Sequence, residues 1–277
     1  MRERVPRALT IAGSDSGGGA GIQADLKTFA VLGVWGMSAV TSVTVQNTVG
    51  VSGVSDVPPD IVAAQIRAVA SDIGVDAAKT GMLSSAEIVD AVAGAVQEMQ
   101  IRPLVVDPVF VSKHGDPLLR DDAVQALRTR ILPLATVVTP NLPEAGGLAG
   151  FEVIGRQDMQ RAAEALLALG AGAVLVKGGH LGGERSDDLL VDGSGATWLE
   201  GPRLDLPNTH GTGCVLSAAI AAGLARGQDL AESVAAAKAF VTEAIAHGVR
   251  IGEGIGPVDP GWRVRAAGGA RAQPAEG

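Results

Sequence analysis

Short runs of β-branched and aliphatic residues alternate with Ala-rich stretches of helical period along almost the whole chain. Leu9 to Ala12 predicts a first strand, ended by "GSDSGGGAG". "IQADLKTFAVLG" predicts a helix closed by Gly33, and "MSAVTSVTVQN" a strand. Pro58 and Pro59 introduce a helix through about Ser71. "VDAAKTGM" then predicts a short strand, and "SSAEIVDAVAGAVQEMQ" a helix capped by Ser84 or Ser85. The alternation continues with strand "PLVVDPV", helix "DDAVQALRTRIL", strand "ATVVTPN", helix "DMQRAAEALLALG" and strand "AVLVKGG". "SDDLLVDG" and "ATWLEGPRL" predict two adjacent strands at an antiparallel edge. Helices over about Cys214 to Ala225 and Leu230 to Gly248 finish the core. No element is assigned to residues 51–56.

Strand following helix in this way is the pattern of a three-layer α/β fold, a mostly parallel sheet with helices on both faces. Nothing reads as an interdomain linker, so residues 1–263 are expected to form one domain. Residues 264–277, small and polar, are expected to be a disordered tail. Ligands of open α/β sheets bind at the carboxyl ends of strands. The unusual segments fall there: "GSDSGGGAG", "QNT", "KTGM", "DPV", "TPNLPE" and "KGG" each follow a strand, and "NTHGTGC" precedes a helix.

Composition narrows the function classes. Of 277 residues 47% are hydrophobic, enough for a sizeable core. The net charge of −8 argues against a nucleic-acid partner, which needs a basic face. It does not exclude a small anion, because backbone amides at a helix start bind one without net positive charge. The single cysteine has no disulfide partner, and no Cys/His cluster has zinc spacing. "MRERVPRALTIAG" lacks the apolar segment of a secretory signal, and no apolar run reaches the ~18 residues of a membrane span. A cytoplasmic protein without a membrane partner is expected.

Each candidate site residue carries two readings. The glycines at 13, 17, 18, 19 and 21, with Asp25 one turn further on, either make a turn needing positive φ or bring the backbone close to a ligand. Asp107 ends a buried strand, as a cap or as part of a metal or substrate site; taken alone, capping is favoured. Asn141 and Glu144 suit a helix cap, or an oxygen-rich patch that holds hydrated Mg²⁺ beside phosphates. Lys177 must leave the core toward solvent or toward an anion such as a nucleotide phosphate. The backbone N–H groups of Gly211, Thr212, Gly213 and Cys214 would be orphan donors at a helix start, an anion hole. Cys214 is either a buried apolar residue or a thiol whose pKa the helix terminus lowers. His210 has no metal-spaced partner and is read as loop structure or a minor contact.

Taken together, "LTIAGSDSGGGAGIQADLKTFAVLGVWGMSAVTSVTVQNT", "KTGML", "VVDPV", "TPNLPEA", "LVKGGH" and "NTHGTGC" resemble the hydroxymethylpyrimidine/phosphomethylpyrimidine kinases of thiamine biosynthesis, in the ribokinase-like superfamily. The resemblance covers Leu9 to Asp259. It implies the ribokinase-like fold, usually a homodimer. It also implies transfer of the ATP γ-phosphoryl to 4-amino-5-hydroxymethyl-2-methylpyrimidine and then to its monophosphate. By resemblance Gln46 pairs with the pyrimidine edge. Gly13, Asp25, Met82 and Val109 line the same pocket, Lys177 lies on the nucleotide side, and Asn141 and Glu144 organise Mg²⁺, with Asp107 a further metal candidate. Cys214 stands where related sugar kinases carry an Asp base, and is the base candidate as thiolate. His114 departs from the usual small residue at its position. A pyridoxal or pyridoxine kinase of the same fold is the alternative, and a non-catalytic nucleotide-binding module the remote one.

Overall fold

The computed structural model describes residues 4–110, 121–179 and 181–269. Strands β1 (Arg7–Ser14), β2 (Trp35–Gln46) and β3 (Val51–Asp56) come first, with helix α1 (Gly21–Val31) between β1 and β2. Helix α2 (Pro59–Asp72), β4 (Ala77–Thr80), α3 (Ala86–Glu98) and β5 (Leu104–Val106) follow. Next come α4 (Asp121–Ala126), continued by a π turn, then β6 (Val137–Val138), α5 (Leu142–Ala149), α6 (Arg156–Ala168) and β7 (Val174–Val176). The antiparallel pair β8 (Asp188–Asp192) and β9 (Gly195–Leu199) precedes α7 (Thr212–Ala225), α8 (Leu230–Ala246) and α9 (Trp262–Gly269).

The described residues form one nine-stranded sheet in the order β3-β2-β1-β4-β5-β6-β7-β8-β9. From β2 to β7 the strands are parallel, and β3, β8 and β9 are the antiparallel additions. Both faces are covered, which is why the central strands read as continuous apolar runs rather than alternating ones. Leu9, Val106, Val138 and Val174 point into a core with α2, α3, α5 and α6. Their neighbours Ala8, Val105, Val137 and Leu175 point into a second core with α1, α7 and α8. Helix α7 lies deep in that second layer, and Val215 to Gly223 are all buried, as its unbroken apolar sequence requires.

Two expectations are corrected. Strand β3 occupies residues 51–56, where Gly53 and two serines hide any apolar run; at the sheet edge only one side is paired, so the usual burial signal is absent. Helix α9 extends through Gly269 into the stretch expected to be disordered; residues 270–277 lie outside the described ones. Among the described residues no helix is long and apolar enough to cross a membrane.

The strand order reverses between β1 and β4, which sit side by side while their following segments lead to opposite sides. That switch point opens a crevice at the carboxyl ends of the strands.

Candidate functional site

A cavity of about 670 Å³ fills that crevice, with Gly13 and Gln46 in one wall and Lys177 and Cys214 in another. Most of the segments singled out in the sequence meet here, because parallel strands deliver all their C-terminal loops to one edge.

The Gly-rich turn after β1 is folded around its own aspartate. Asp15 accepts hydrogen bonds from the backbone N–H groups of Gly17, Gly19 and Ala20, at 2.8, 3.0 and 2.8 Å. His210 reaches across from the loop before α7 and places Nε2 2.8 Å from Asp15 Oδ2. Burial raises the Asp15 carboxyl, but the hydrogen bond and charge of His210 and the loop amides outweigh it and hold it below the usual range. Of the two readings offered for His210, loop structure or a minor contact, the structure shows the first: it is a buried tie between two loops of the site. Sequence spacing could not have found it, since the partners lie 195 residues apart.

Gly13, Met82 and Val109 line the cavity. A Cβ on Gly13 would sit 2.5 Å from Met82 Cε, so the glycine makes room for that methionine. Asp25 does not line the cavity. Its side chain is fully buried, accepts from Thr10 Oγ1 at 2.6 Å, and holds Lys79 Nζ at 3.1 and 3.0 Å. Lys79, on β4, is itself completely buried. Burial opposes its charge, but the Asp25 carboxylate first, and Asp107 beyond it, outweigh that and keep the ammonium protonated. A lysine inside "VDAAKTGM" was the available signal, because a buried ammonium demands a carboxylate partner.

Helix α7 begins with Gly211 at the N-cap in the left-handed region, φ 81°, and no side chain caps it. The Thr212 hydroxyl donates back to the Thr209 carbonyl at 2.8 Å. The Thr212 N–H also turns back to the Thr209 carbonyl, at 3.4 Å, and Gly211 to Cys214 line the cavity without a side-chain cap on the helix start. Cys214 lies in that first turn and is half-buried. The expected drop in its pKa is overturned. Burial pushes the thiol up to about 11, the Lys79 ammonium pulls down, and the nearby Asp25 and Asp107 carboxylates add to the rise. Desolvation and two negative neighbours outweigh Lys79 and the Gly21 N–H, so the resting thiol is protonated.

Asp107 is not a cap. It accepts from Thr139 Oγ1 at 3.2 Å and Lys177 Nζ at 3.1 Å, with Ser217 Oγ 3.3 Å away. Burial raises its pKa, and Lys177 with Lys79 more than reverses this. Lys177 meets carboxylates rather than open solvent, with Glu144 Oε2 at 3.7 Å. Asn141 and Glu144 form a reciprocal capping box at the start of α5, at 2.9 and 2.8 Å. Burial, then Asp107, push the Glu144 carboxyl up to about 7 against the pull of Lys177. At the far end the cavity is walled by Leu204, Leu206, Val241 and Ile245, beside Lys238 and Asp188 paired at 2.7 Å. None of these far-end residues stood out in the sequence, where they read as ordinary helix and loop. His114 lies outside the described residues.

Comparison with known proteins gives one consistent answer. The family described as phosphomethylpyrimidine kinase matches residues 15–259. The hydroxymethylpyrimidine/phosphomethylpyrimidine kinase of Streptomyces coelicolor is 57% identical over 257 residues, 93% of this chain and 95% of that protein. The thiamine biosynthesis bifunctional protein ThiED of Geobacter sulfurreducens is 51% identical over 93% of this chain, a match spanning 53% of its own length. Among solved structures, the pyridoxal kinase of Bacillus subtilis in complex with ADP aligns with a TM-score of 0.87 at 43% identity, covering 93% of this chain and 98% of that one.

Proposed function

From the premise that the chain belongs to the phosphomethylpyrimidine kinase family, we propose how its cavity carries out the two phosphorylations. The enzyme is a phosphotransferase of thiamine biosynthesis. It transfers the ATP γ-phosphoryl to 4-amino-5-hydroxymethyl-2-methylpyrimidine and then to the monophosphate. The family match over residues 15–259 and the curated relatives at 48–57% identity favour this substrate over pyridoxal.

The observation that carries the reading is one cavity holding an amide reader, an anion hole and a charged cluster. Gln46 offers a donor and an acceptor side by side, which suits an aminopyrimidine edge. Gly13, Met82 and Val109 pack against the ring. The N–H groups of Gly211, Thr212, Gly213 and Cys214 take the transferring phosphoryl, whose transition state needs positioning and charge stabilisation more than covalent help. The apolar far wall suits adenine, and Lys177 faces the phosphates from that side. In the transfer the hydroxymethyl oxygen bonds to the γ-phosphorus, the bond to the bridging oxygen of ATP breaks, and the hydroxyl proton must leave. Cys214 is the proposed acceptor of that proton, through the small thiolate fraction, and no phosphocysteine forms.

Magnesium fits this site only in a hydrated form. Among the described residues no three His, Cys, Asp or Glu side chains converge on one point, and Lys177 already neutralises Asp107. An ion that keeps its waters and the phosphate oxygens needs few protein ligands. Asp107, Asn141 and Glu144 would hold its hydration shell. When bound, the ion neutralises phosphate charge. ATP use suits a cytoplasmic enzyme.

A comparative turnover assay tests the substrate. The pyrimidine should be phosphorylated far faster than pyridoxal, and the reverse ranking would overturn the proposal. For the base, Cys214→Ser should lower turnover by roughly tenfold at neutral pH. The raised pKa leaves the thiol protonated there, so the thiolate fraction grows as pH rises toward 11. The gap between wild type and Cys214→Ser should therefore widen with pH. Equal turnover across the range would leave the side chain only a packing role.

A homodimer is part of the proposal. Val43, Val45 and Val54 are exposed on the β2–β3 ribbon, an apolar strip next to an unpaired edge. Sedimentation velocity should give a dimer, and a monomer at micromolar concentration would remove this element.

A further inference from the structure

Gln46 is held between two residues that were not expected to matter, and counting their protons fixes which way its amide faces. At one end, Thr44 Oγ1 lies 2.8 Å from the Ser14 carbonyl and 3.1 Å from Gln46 Oε1. A hydroxyl has one proton. The shorter contact, to an oxygen that can only accept, takes it, and Thr44 then turns a lone pair toward Gln46 Oε1. At the other end, His210 Nε2 lies 2.8 Å from Asp15 Oδ2 and 3.4 Å from Gln46 Nε2. Asp15 already accepts three backbone N–H groups, and its carboxyl is held below the usual range, so it is ionised. An ionised oxygen at 2.8 Å requires a proton on His210 Nε2, whatever the charge of the ring. That proton lies along the contact to Asp15, so Nε2 has no lone pair for the Gln46 NH₂ and turns only its electropositive N–H edge toward it.

So acceptor faces acceptor at Thr44, and at His210 an amide N–H faces a ring edge that offers it no acceptor. A half-turn of the amide removes both conflicts at once. Its oxygen and nitrogen have nearly the same shape, and their partners decide which is which. One amide proton then goes to Thr44, and the carbonyl faces the electropositive N–H edge of His210. One lone pair and one proton remain for a ligand.

We propose that Thr44 and His210 are positioning residues that lock the Gln46 amide with its carbonyl toward His210 and its NH₂ toward Thr44, and so set the ring edge the enzyme accepts. This rests on the substrate reading above. An accepted ring must present a donor on the His210 side and an acceptor on the Thr44 side. The 4-amino group and ring N3 of the substrate do so. The 4-amino group neighbours the carbon that bears the hydroxymethyl. The lock therefore sends the hydroxymethyl toward the His210 side, where Gly211 to Cys214 begin α7. A 4-oxo ring with a proton on N3 presents the reverse order and meets donor against donor.

The test compares kcat/KM for the 4-amino substrate and for its 4-oxo analogue, with ATP. Wild type should prefer the amino ring by roughly 100-fold or more, because a mismatched edge leaves buried polar groups unpaired. Thr44→Val and His210→Leu should each cut that ratio by roughly tenfold, since a freed amide can turn to suit either ring. Thr44→Ser and His210→Gln keep a hydroxyl and an N–H near the original atoms and should hold the ratio within about threefold. A merely structural role would slow both rings together and leave the ratio alone. An unchanged ratio in Thr44→Val and His210→Leu overturns the inference. Should either variant unfold, calorimetry on wild type decides, and equal affinity for the two rings overturns it as well. Turnover of neither ring by wild type defeats the substrate reading and the inference together. Turnover of the amino ring with a fixed ratio defeats the inference alone.

Discussion

Lys79→Met destabilises the protein by roughly 3–5 kcal/mol, the usual cost of removing one partner from a buried ion pair. The side chains are of similar length, so the change removes charge more than volume. Lys79 and Asp25 are both fully buried, and Nζ touches both carboxylate oxygens. Without the ammonium, the Thr10 hydroxyl still donates to Asp25 but brings no charge. Burial already holds the Asp25 carboxyl above its usual range against the pull of Lys79, and loss of that pull raises it further. A group shifted that way is least costly in acid, and its penalty grows as pH rises through the folded pKa. The loss of stability in Lys79→Met should therefore be smaller at pH 5 than at pH 8. Asp25→Asn combined with Lys79→Met should recover a large part of it, because no charge is left buried. Thermal and urea melts at the two pH values check this. A single variant as stable as wild type would mean that the pair does not organise the floor of the site.

Gly211→Ala should lower kcat/KM by roughly 100-fold or more, as expected when reacting groups move by about an ångström. Gly211 holds φ 81°, a conformation strained for any residue with a Cβ. A methyl there would lie 1.9 Å from the Gly19 carbonyl oxygen, so the anion-hole loop and the Gly-rich turn must separate. Those loops are tied by His210 and Asp15, and moving them apart disturbs both the phosphate donors and the Gln46 lock. The backbone strain adds about 1–3 kcal/mol of destabilisation. Turnover kinetics beside a melting curve separate the two effects. Activity within about fivefold of wild type would show that the loops tolerate the gap, against the close approach argued here.

Local pattern was sufficient for most of the architecture. The apolar runs at 104–106 and 174–176, the capping box at Asn141 and Glu144, and the uninterrupted apolar helix from Cys214 are short-range features. Their physical causes act within a few residues, so they can be read without knowing the fold. The order of strand and helix also placed the site, because a parallel sheet brings its loops to one edge. Strand β3 escaped notice because an edge strand buries little and needs no apolar signature.

What the sequence by itself determined, then, was the scaffold, the loops that meet, and through its motifs the family. The state of each side chain was decided by the tertiary structure. Cys214 opens a helix, which argues for a lowered pKa, yet its burial beside two carboxylates raises it. Asp25 sits in a motif that suggests substrate contact, yet it is spent on a lysine from a strand 54 residues away. His210 reads as loop filler and proves to be a tie across 195 residues. Desolvation and charge pairing depend on what surrounds a group in three dimensions, and those neighbours come from distant parts of the chain.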